Sequence, residues 1–412
     1  PGTRLRIRDQ SADSSSAVDD KYRALLGYRV EVIKRYPAAA RQFLVAGAVP
    51  DLGHVIRQPD LARTIERLAE DGFDGFYAGP TARRLVTGVN EAGGNWTLDD
   101  LSGYRVVERE PVRLDYRGHQ IVTSPPPSSG GIAIAQILNI LEPWDLPALA
   151  PAQRSHLLVE AMRRAYRDRG IYLGDPDFVE IPTDMLLSTD YAAGLRASVM
   201  LDKATPSAML PGSDNAPRGT DTTHFSIIDA EGNLVAATLS VNLPYGSGFV
   251  PPGTGVLLNN EMDDFALVPD APNAYGLIGR EANAPAPGKR MLSSMTPSFV
   301  IGPDRVAVIG TPGGSRIITM VLLAMLDVID GKDAQAVVTA RRIHHQFLPD
   351  VLQAEAGALD PEAVAALEAK GHTVNAGERE WGNMQVAIWD RAGNTVEAGT
   401  DPRWTSGKAE VR

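Results

Sequence analysis

The sequence predicts a mixed α/β protein, with helices concentrated before residue 203 and strands after residue 222. Apolar residues recur at helical spacing in the first part, whereas the part after the loop at 203–221 alternates apolar and polar residues. Helical spacing returns at 317–329. With 412 residues, 43% hydrophobic and 22% charged, the chain is long enough for one large layered domain or two ordinary ones.

The first part is predicted to consist of helices and one hairpin. Residues 1–20 are polar and rich in serine, and we predict a tail without regular structure. The pattern at 104–124 has a period of two, which predicts two strands joined by a turn at Gly118. Helices are predicted at 21–43 with a break at Pro37, and at 61–71, 81–91, 97–101, 132–141 and 155–169.

A loop rich in proline and glycine, residues 203–221, leads into the second part. Strands at 224–229 and 234–241 flank the turn signal Ala230-Glu-Gly-Asn233. Because the loop is predicted to be exposed, the chain can be cut there without opening a core. The remaining predicted elements are strands at 256–258, 298–301, 306–309, 384–389 and 396–399, and helices at 317–329, 334–342 and 361–369.

Composition excludes several classes of protein. The 40 basic and 51 acidic residues give a formal net charge of -11, which argues against a nucleic-acid-binding surface and favours a small polar substrate. The chain has no cysteine, so disulfides and thiolate chemistry are excluded. Its longest apolar run, 317–329, is shorter than the roughly 20 residues that span a bilayer, so no membrane span is predicted.

Thr222 is the candidate nucleophile. If the bond between Asp221 and Thr222 is cut, the hydroxyl lies beside a new α-amine, whose pKa of about 8 lets it accept the hydroxyl proton at neutral pH. An Asp-Thr-Thr sequence at the start of a strand is by itself more often explained by the β-propensity of threonine. On this stretch alone both interpretations stay open.

Two further stretches can carry chemistry. In Gly310-Thr-Pro-Gly-Gly-Ser-Arg316, the amides of Gly313 and Gly314 precede a helix and can face a developing negative charge, and the alternative is a phosphate-binding or structural turn. In Leu257–Phe265, three carboxylates within four positions indicate recognition of a metal or an ammonium group, with an exposed acidic turn as the alternative. The pair His344-His345 has no ligand at helical spacing, so we predict no metal site there.

Several stretches, taken in order, resemble the γ-glutamyltranspeptidase family of N-terminal-nucleophile hydrolases. The resemblance covers about residues 45–412 and implies a four-layer αββα sandwich, an α/β fold with helices outside two sheets. It rests on Pro125–Gly131, Tyr172–Phe178, Thr222–His224, Leu257–Phe265, Leu292–Pro297, Thr311–Arg316 and Asp401–Arg403.

The resemblance implies a proenzyme that cleaves itself between Asp221 and Thr222. The products are a large subunit, of which 21–221 is a part, and a small catalytic subunit, 222–412, which stay associated. Thr222 then takes the γ-glutamyl group of glutathione or a related amide and passes it to water, an amino acid or a dipeptide, with no cofactor. The implied location is periplasmic or secreted. No signal peptide is visible, which keeps the cytoplasm as an alternative.

The resemblance also assigns the site. Gly313 and Gly314 form the oxyanion hole, and Ser240 supplies a hydroxyl that supports Thr222. Substrate contacts are implied for six residues: Asn242, Glu261 and Asp264 at the α-ammonium, Ser293 and Ser294 at the α-carboxylate, and Tyr275 in a lid loop at 269–275.

One departure from the family pattern lies upstream. The family carries a segment with an arginine that pairs the substrate α-carboxylate, and strands that complete the large subunit's sheet, and neither is recognisable in this sequence. The chain starts without an initiator Met, so we expect it to be an N-terminally truncated member or to have lost a leader. Two alternatives remain: a glutaryl or β-lactam acylase of the same fold, and an unprocessed fragment without catalytic activity.

Overall fold

A computed structural model describes residues 16–210, 222–268, 271, 273–404 and 407–411. Contacts divide the chain into two units, one formed by residues 1–108 and 243–260 and the other by residues 109–242 and 261–412. Asp221 and residues 269, 270 and 272 of the lid loop lie outside the described residues.

The first unit is largely helical. Its core packs Leu26 and Ile33 against Phe43 and Val250. Pro37 opens a second helix as predicted, and Thr97 forms a capping box with Asp100. In chain order the unit contains β1 (Ser16–Ala17), α1 (Asp20–Lys34), α2 (Pro37–Phe43), β2 (Val55–Ile56), α3 (Pro59–Asp71), α4 (Phe73–Tyr77), α5 (Gly79–Glu91) and α6 (Leu98–Ser102).

The structure differs from the sequence prediction at three places in this unit, the first of which is the short helix α4, which was not predicted. The end of the predicted tail is structured, because β1 pairs antiparallel with β2 and the adjoining Val18 is buried with its N–H bonded to the His54 carbonyl. The predicted strand at 256–258 is irregular. The Leu258 N–H donates to the Phe249 carbonyl, but Gly248 and Gly255, which both have a positive φ, interrupt regular strand pairing.

The second unit holds the larger sheet and the longest helices. It contains β3 (Val112–Tyr116), β4 (His119–Thr123), α7 (Gly130–Leu141), α8 (Pro151–Tyr172), α9 (Thr183–Leu187), α10 (Thr189–Ala197), β5 (Thr223–Ile228), β6 (Leu234–Leu239), β7 (Ser298–Ile301), β8 (Arg305–Gly310), α11 (Ile317–Ile329), α12 (Ala334–Thr339), β9 (Ile343–His344), β10 (Leu352–Glu355), α13 (Pro361–Ala369), β11 (Val374–Gly377), β12 (Gln385–Asp390) and β13 (Thr395–Thr400).

A six-stranded antiparallel sheet, in the order β13-β12-β8-β7-β4-β3, is covered on both faces. A Cβ on Gly310 of β8 would strike the ring of His224 in β5, so the β5-β6 hairpin lies on that face. Gly310 pairs with Gln385, and the next residue, Val386, pairs with Gly399. Because neighbouring residues of a strand point to opposite faces, Gly399 faces the other side, where it meets α12. The unit is thus a sandwich in which helices, the sheet and the hairpin form successive layers.

Within the described residues the predicted hairpins and the buried helix α11 are confirmed. The sequence prediction misses β9, β10 and β11, which have two to four residues each and form a separate sheet. Among the helices of the described segments, none combines the length and the apolar composition that crossing a membrane requires.

Candidate active site

The β5-β6 hairpin brings Thr222 and Ser240 together. Thr222 directly precedes β5 and Ser240 directly follows β6, and the last pair of the hairpin is Thr223 with Leu239. Antiparallel pairing therefore places the two hydroxyls side by side, and Thr222 Oγ1 donates to Ser240 Oγ over 3.4 Å. The hairpin turn, which the sequence predicts, is thus what aligns the candidate nucleophile with its supporting hydroxyl.

His224 lies in β5, two residues after Thr222, and its imidazole is neutral. Burial lowers the pKa of its imidazole to about 4, and its ring nitrogens bond to Thr238 and Ser226. The ring lies against Gly310, where a Cβ would come within 2.0 Å of it. His224 therefore fills the space between hairpin and sheet and contributes no charge at neutral pH.

Ser240 connects Thr222 to the residues assigned to the substrate ammonium. The N–H of Asn242 donates to Ser240 Oγ over 2.9 Å. The Glu261 carboxylate accepts hydrogen bonds from the Ser240 hydroxyl and the Asn242 N–H, and burial raises the pKa of Glu261. One hydroxyl thus accepts from Thr222 and donates to Glu261.

Asp264 ends the same short 3-10 helix as Glu261. Burial, reinforced by the charge of Glu261, raises the pKa of Asp264 to about 7, against the opposing effect of Arg169. The side-chain amide of Asn273, in the lid loop, donates to Asp264 Oδ1 over 3.0 Å. Two half-buried carboxylates that repel each other form a site suited to a cation.

Tyr275 joins this acidic region to the glycine turn. Its hydroxyl donates to the Asn242 carbonyl, and its ring lies on Gly314, where a Cβ would be 2.3 Å from Cδ1. Gly314 has φ 58, a left-handed conformation that favours glycine, and it opens a short 3-10 helix that leads into α11. The turn therefore needs glycine both for its backbone and for the aromatic ring packed against it.

The loop at Pro125–Gly131 holds the serine pair in place. The N–H of Ser129 donates to the Ser293 carbonyl over 2.8 Å, and the N–H of Ser293 donates to the Pro127 carbonyl over 2.8 Å. A Cβ on Gly130 would lie 2.1 Å from Thr296 Oγ1, so only glycine allows this approach. The sequence alone assigns no role to the Pro125–Gly131 motif. In the structure, this loop holds the segment that contains Ser293 and Ser294.

The described contacts join Thr222, Ser240, Asn242, Glu261, Asp264, Tyr275 and Gly314 into one network. Ser293 and Ser294 form a second group around Ser129 and Arg169, and Gly313 adjoins Gly314 in the chain. Sequence reasoning missed Arg169, which donates to both Ser129 and Ser294. The only signal for it was its position just before the Tyr172–Phe178 motif. Asn273 was also missed, although the lid stretch that contains it was noted.

The other buried histidines, His156, His344, His345 and His372, take part in hydrogen bonds. His344 bonds to Thr319 and Gln346, and His345 bonds to Asp350. A separate group of potential metal ligands consists of His156, Glu160 and His372. In that group, Nδ1 of His156 lies 2.8 Å from Nε2 of His372, and the Glu160 carboxylate accepts from Arg164 and from the Thr205 N–H.

Comparisons with known proteins agree with this geometry. The family model described as Gamma-glutamyltranspeptidase matches residues 11–411. The glutathione hydrolase proenzyme of Escherichia coli (strain K12) is 41% identical over 401 residues, which cover 96% of this chain and 68% of that protein. The glutathione hydrolase proenzyme of Pseudomonas sp. (strain A14) is 47% identical over 323 residues, 77% of this chain and 56% of that protein. The chain thus spans between 56% and 68% of these relatives' lengths.

A solved structure shares the fold. The crystal structure of cephalosporin acylase from Bacillus halodurans superimposes with a TM-score of 0.82 at 26% identity, covering 96% of this chain and 71% of that one. The similarity supports the predicted sandwich of the N-terminal-nucleophile hydrolases over nearly the whole chain.

Proposed function

Because the chain belongs to the γ-glutamyltranspeptidase family, we propose that it acts as a γ-glutamyltransferase and glutathione hydrolase through an acyl-Thr222 intermediate. The observation that carries the proposal is the contact path from Thr222 through Ser240 to the half-buried carboxylate of Glu261, whose charge acts on the half-buried Asp264. A γ-glutamyl group presents an ammonium at the end opposite its reacting carbonyl, and this path puts a cation-binding region near the nucleophile.

The proposed reaction begins after the bond before Thr222 is cut. The free α-amine takes the hydroxyl proton, and Oγ1 attacks the γ-carbonyl carbon of the donor. Amides of Gly313 and Gly314 stabilise the oxyanion, which collapses as the proton passes to the departing amine. Water or an amino acid then attacks the ester, releasing glutamate or a new γ-glutamyl compound and restoring the hydroxyl.

We further propose that 222–412 is the small subunit and that 21–221 belongs to the large one. The names of the two glutathione hydrolase relatives include the word proenzyme, which supports processing of one precursor. We also propose a periplasmic or secreted location, on the family resemblance. Fractionation of the native host tests that location, with the cytoplasm as the contrary result.

An acylase function is the alternative, and the likeness to cephalosporin acylase favours it. Glutaryl and β-lactam acyl groups that lack an ammonium do not use the cation-binding role that we propose for Glu261 and Asp264. Comparing hydrolysis of γ-glutamyl and glutaryl anilides distinguishes the two. We expect the γ-glutamyl anilide to be preferred, and preference for the glutaryl anilide would establish the acylase.

Thr222→Ala tests the proposed nucleophile. The variant is expected to remain one polypeptide and to hydrolyse no γ-glutamyl anilide, while the wild type gives two chains. Intact mass spectrometry of both proteins is the measurement, and Thr223→Ala is the control at the adjacent exposed position. Two chains in the Thr222→Ala sample would contradict the proposal, and a single unprocessed chain in the wild type would favour the non-catalytic fragment.

A further inference from the structure

Arg169 differs from the other buried arginines of α8. Arg163 and Arg164 are also buried, and both form ion pairs with Glu160, a carboxylate of their own helix. Arg169 is 4% exposed, and the charge that most favours its protonation, apart from Tyr166, is that of Asp264. Among the described residues, its side-chain hydrogen bonds go to two serine hydroxyls and not to a carboxylate. A buried cation held only by neutral groups calls for an explanation.

The hydroxyls that Arg169 contacts belong to the serine pair and its supporting loop. Nε donates to Ser129 Oγ over 2.9 Å, and an Nη2 donates to Ser294 Oγ over 3.2 Å. The Ser129 hydroxyl in turn donates a hydrogen bond to the Ser293 carbonyl over 2.7 Å. Arg169 therefore contacts the Ser294 side chain directly and, through Ser129, the loop that holds Ser293.

These bonds determine the direction in which the serine protons point. A guanidinium only donates, so Ser294 Oγ must accept from Arg169, and its own O–H is directed elsewhere. Ser293 Oγ accepts from the Met295 N–H at 3.0 Å, so its O–H is also available as a donor. Two hydroxyls that can donate, beside a buried positive charge, are suited to a carboxylate, which only accepts.

We propose that Arg169 is a positioning residue for substrate selection: it turns the Ser294 hydroxyl into a donor and supplies the positive charge that selects donors carrying an α-carboxylate. This inference rests on the proposed function and names a further residue of the same site. The charge of Arg169 opposes the rise in the pKa of Asp264, the residue assigned to the substrate ammonium. The site thus places a positive and a negative group near each other, as the zwitterionic end of a γ-glutamyl donor requires.

The test compares two anilides that differ in this carboxylate. The γ-glutamyl anilide carries it, and the 4-aminobutyryl anilide has the same chain and ammonium without it. For Arg169→Met we expect kcat/KM for the γ-glutamyl anilide to fall about 10- to 100-fold relative to that for the 4-aminobutyryl anilide. The loss should lie mainly in KM, because the carboxylate is remote from the reacting bond.

Two variants control for structure. Arg169→Lys keeps the charge but lacks the planar guanidinium that contacts Ser129 through Nε and Ser294 through Nη2. It should therefore recover part of the γ-glutamyl preference. Arg154→Met removes an arginine from the first turns of the same helix, where it pairs with Asp330, and should leave the preference unchanged. If Arg169→Met lowers both anilides by the same factor, or neither, the inference is wrong and Arg169 is only structural.

Failure of the proposed function gives a different result. If the wild type hydrolyses neither anilide, the proposed activity is rejected, and titration calorimetry with L-glutamate and 4-aminobutyrate then decides the inference. Wild type that binds glutamate more tightly than 4-aminobutyrate, with the difference lost in Arg169→Met, supports the role of Arg169. Equal binding of the two ligands by the wild type would overturn it.

Discussion

Replacing Asp264 with asparagine is expected to stabilise the folded protein at alkaline pH. Burial, with Glu261 nearby, raises the pKa of Asp264 from 3.8 to about 7. Between these values the folded state holds a proton that the unfolded chain releases, so the free energy of unfolding falls as the pH rises. A pKa difference of about 3 corresponds to about 4 kcal/mol, lost in full above neutral pH.

The asparagine removes the buried charge and keeps the local hydrogen bond. Its side-chain oxygen still accepts from the amide of Asn273. The opposing effect of Arg169 is already contained in the pKa of about 7, so about 4 kcal/mol is the largest gain expected. Urea denaturation at pH 8 should show a higher midpoint for Asp264→Asn than for the wild type. At pH 5 the difference between the two midpoints should be roughly half or less, because the folded wild type still holds the proton that its unfolded chain has largely released.

Activity is expected to change in the opposite direction. Removing one partner of a desolvated charge pair costs about 2–5 kcal/mol, so kcat/KM for a γ-glutamyl anilide should fall roughly 30-fold to several thousandfold. A glutaryl anilide, which has no ammonium, should lose far less. Asp263→Asn, in the same 3-10 helix, is the matched control. Equal losses on both anilides, or a lower midpoint at pH 8, would refute the reasoning.

Three further predictions concern other parts of the site and the core. Ser240→Ala removes the hydroxyl bonded to Thr222 and should lower kcat about tenfold with little change in KM, in steady-state assays in which Ser240→Thr stays active. Gly314→Ala places a Cβ on an aromatic ring in a left-handed turn, so lower kcat and a lower melting temperature are expected, and wild-type values for both would contradict the packing. Burial lowers the pKa of His224 and His345 to about 4, so unfolding takes up protons below pH about 6.5. In Asp264→Asn, which lacks the opposing titration of Asp264, the urea midpoint should therefore fall as the pH drops from 7 to 5, whereas a rising midpoint would oppose this.

The elements that follow from local pattern are those that the sequence predicts well. The turn signal at 230–233 fixes the hairpin, and the hairpin fixes the pairing of Thr222 with Ser240. The largely apolar run of α11 has the predicted bounds, because nearly all of its residues are buried. Where a turn or a long apolar run determines the structure, the sequence alone is enough.

The elements that depend on distant partners are those that the sequence cannot predict. β9 and β10 are very short and exist because they pair with each other and with β11. α8 carries several arginines, and only the fold distinguishes Arg169, behind the serines, from Arg163 and Arg164 with their own carboxylate. Helical periodicity is also a poor guide to burial in α3. The apolar residue Leu68 is exposed there, whereas Thr64 is buried and its hydroxyl donates to the Thr254 carbonyl.

Trapping the acyl-enzyme tests the central claim most directly. Wild-type protein is mixed with a γ-glutamyl anilide, quenched in acid within the first turnover and digested for peptide mass mapping. We predict that the peptide beginning with Thr222 has a free N-terminus and carries one γ-glutamyl group on its hydroxyl. A γ-glutamyl group on another residue, or an unmodified chain still continuous through residue 222, would contradict the account.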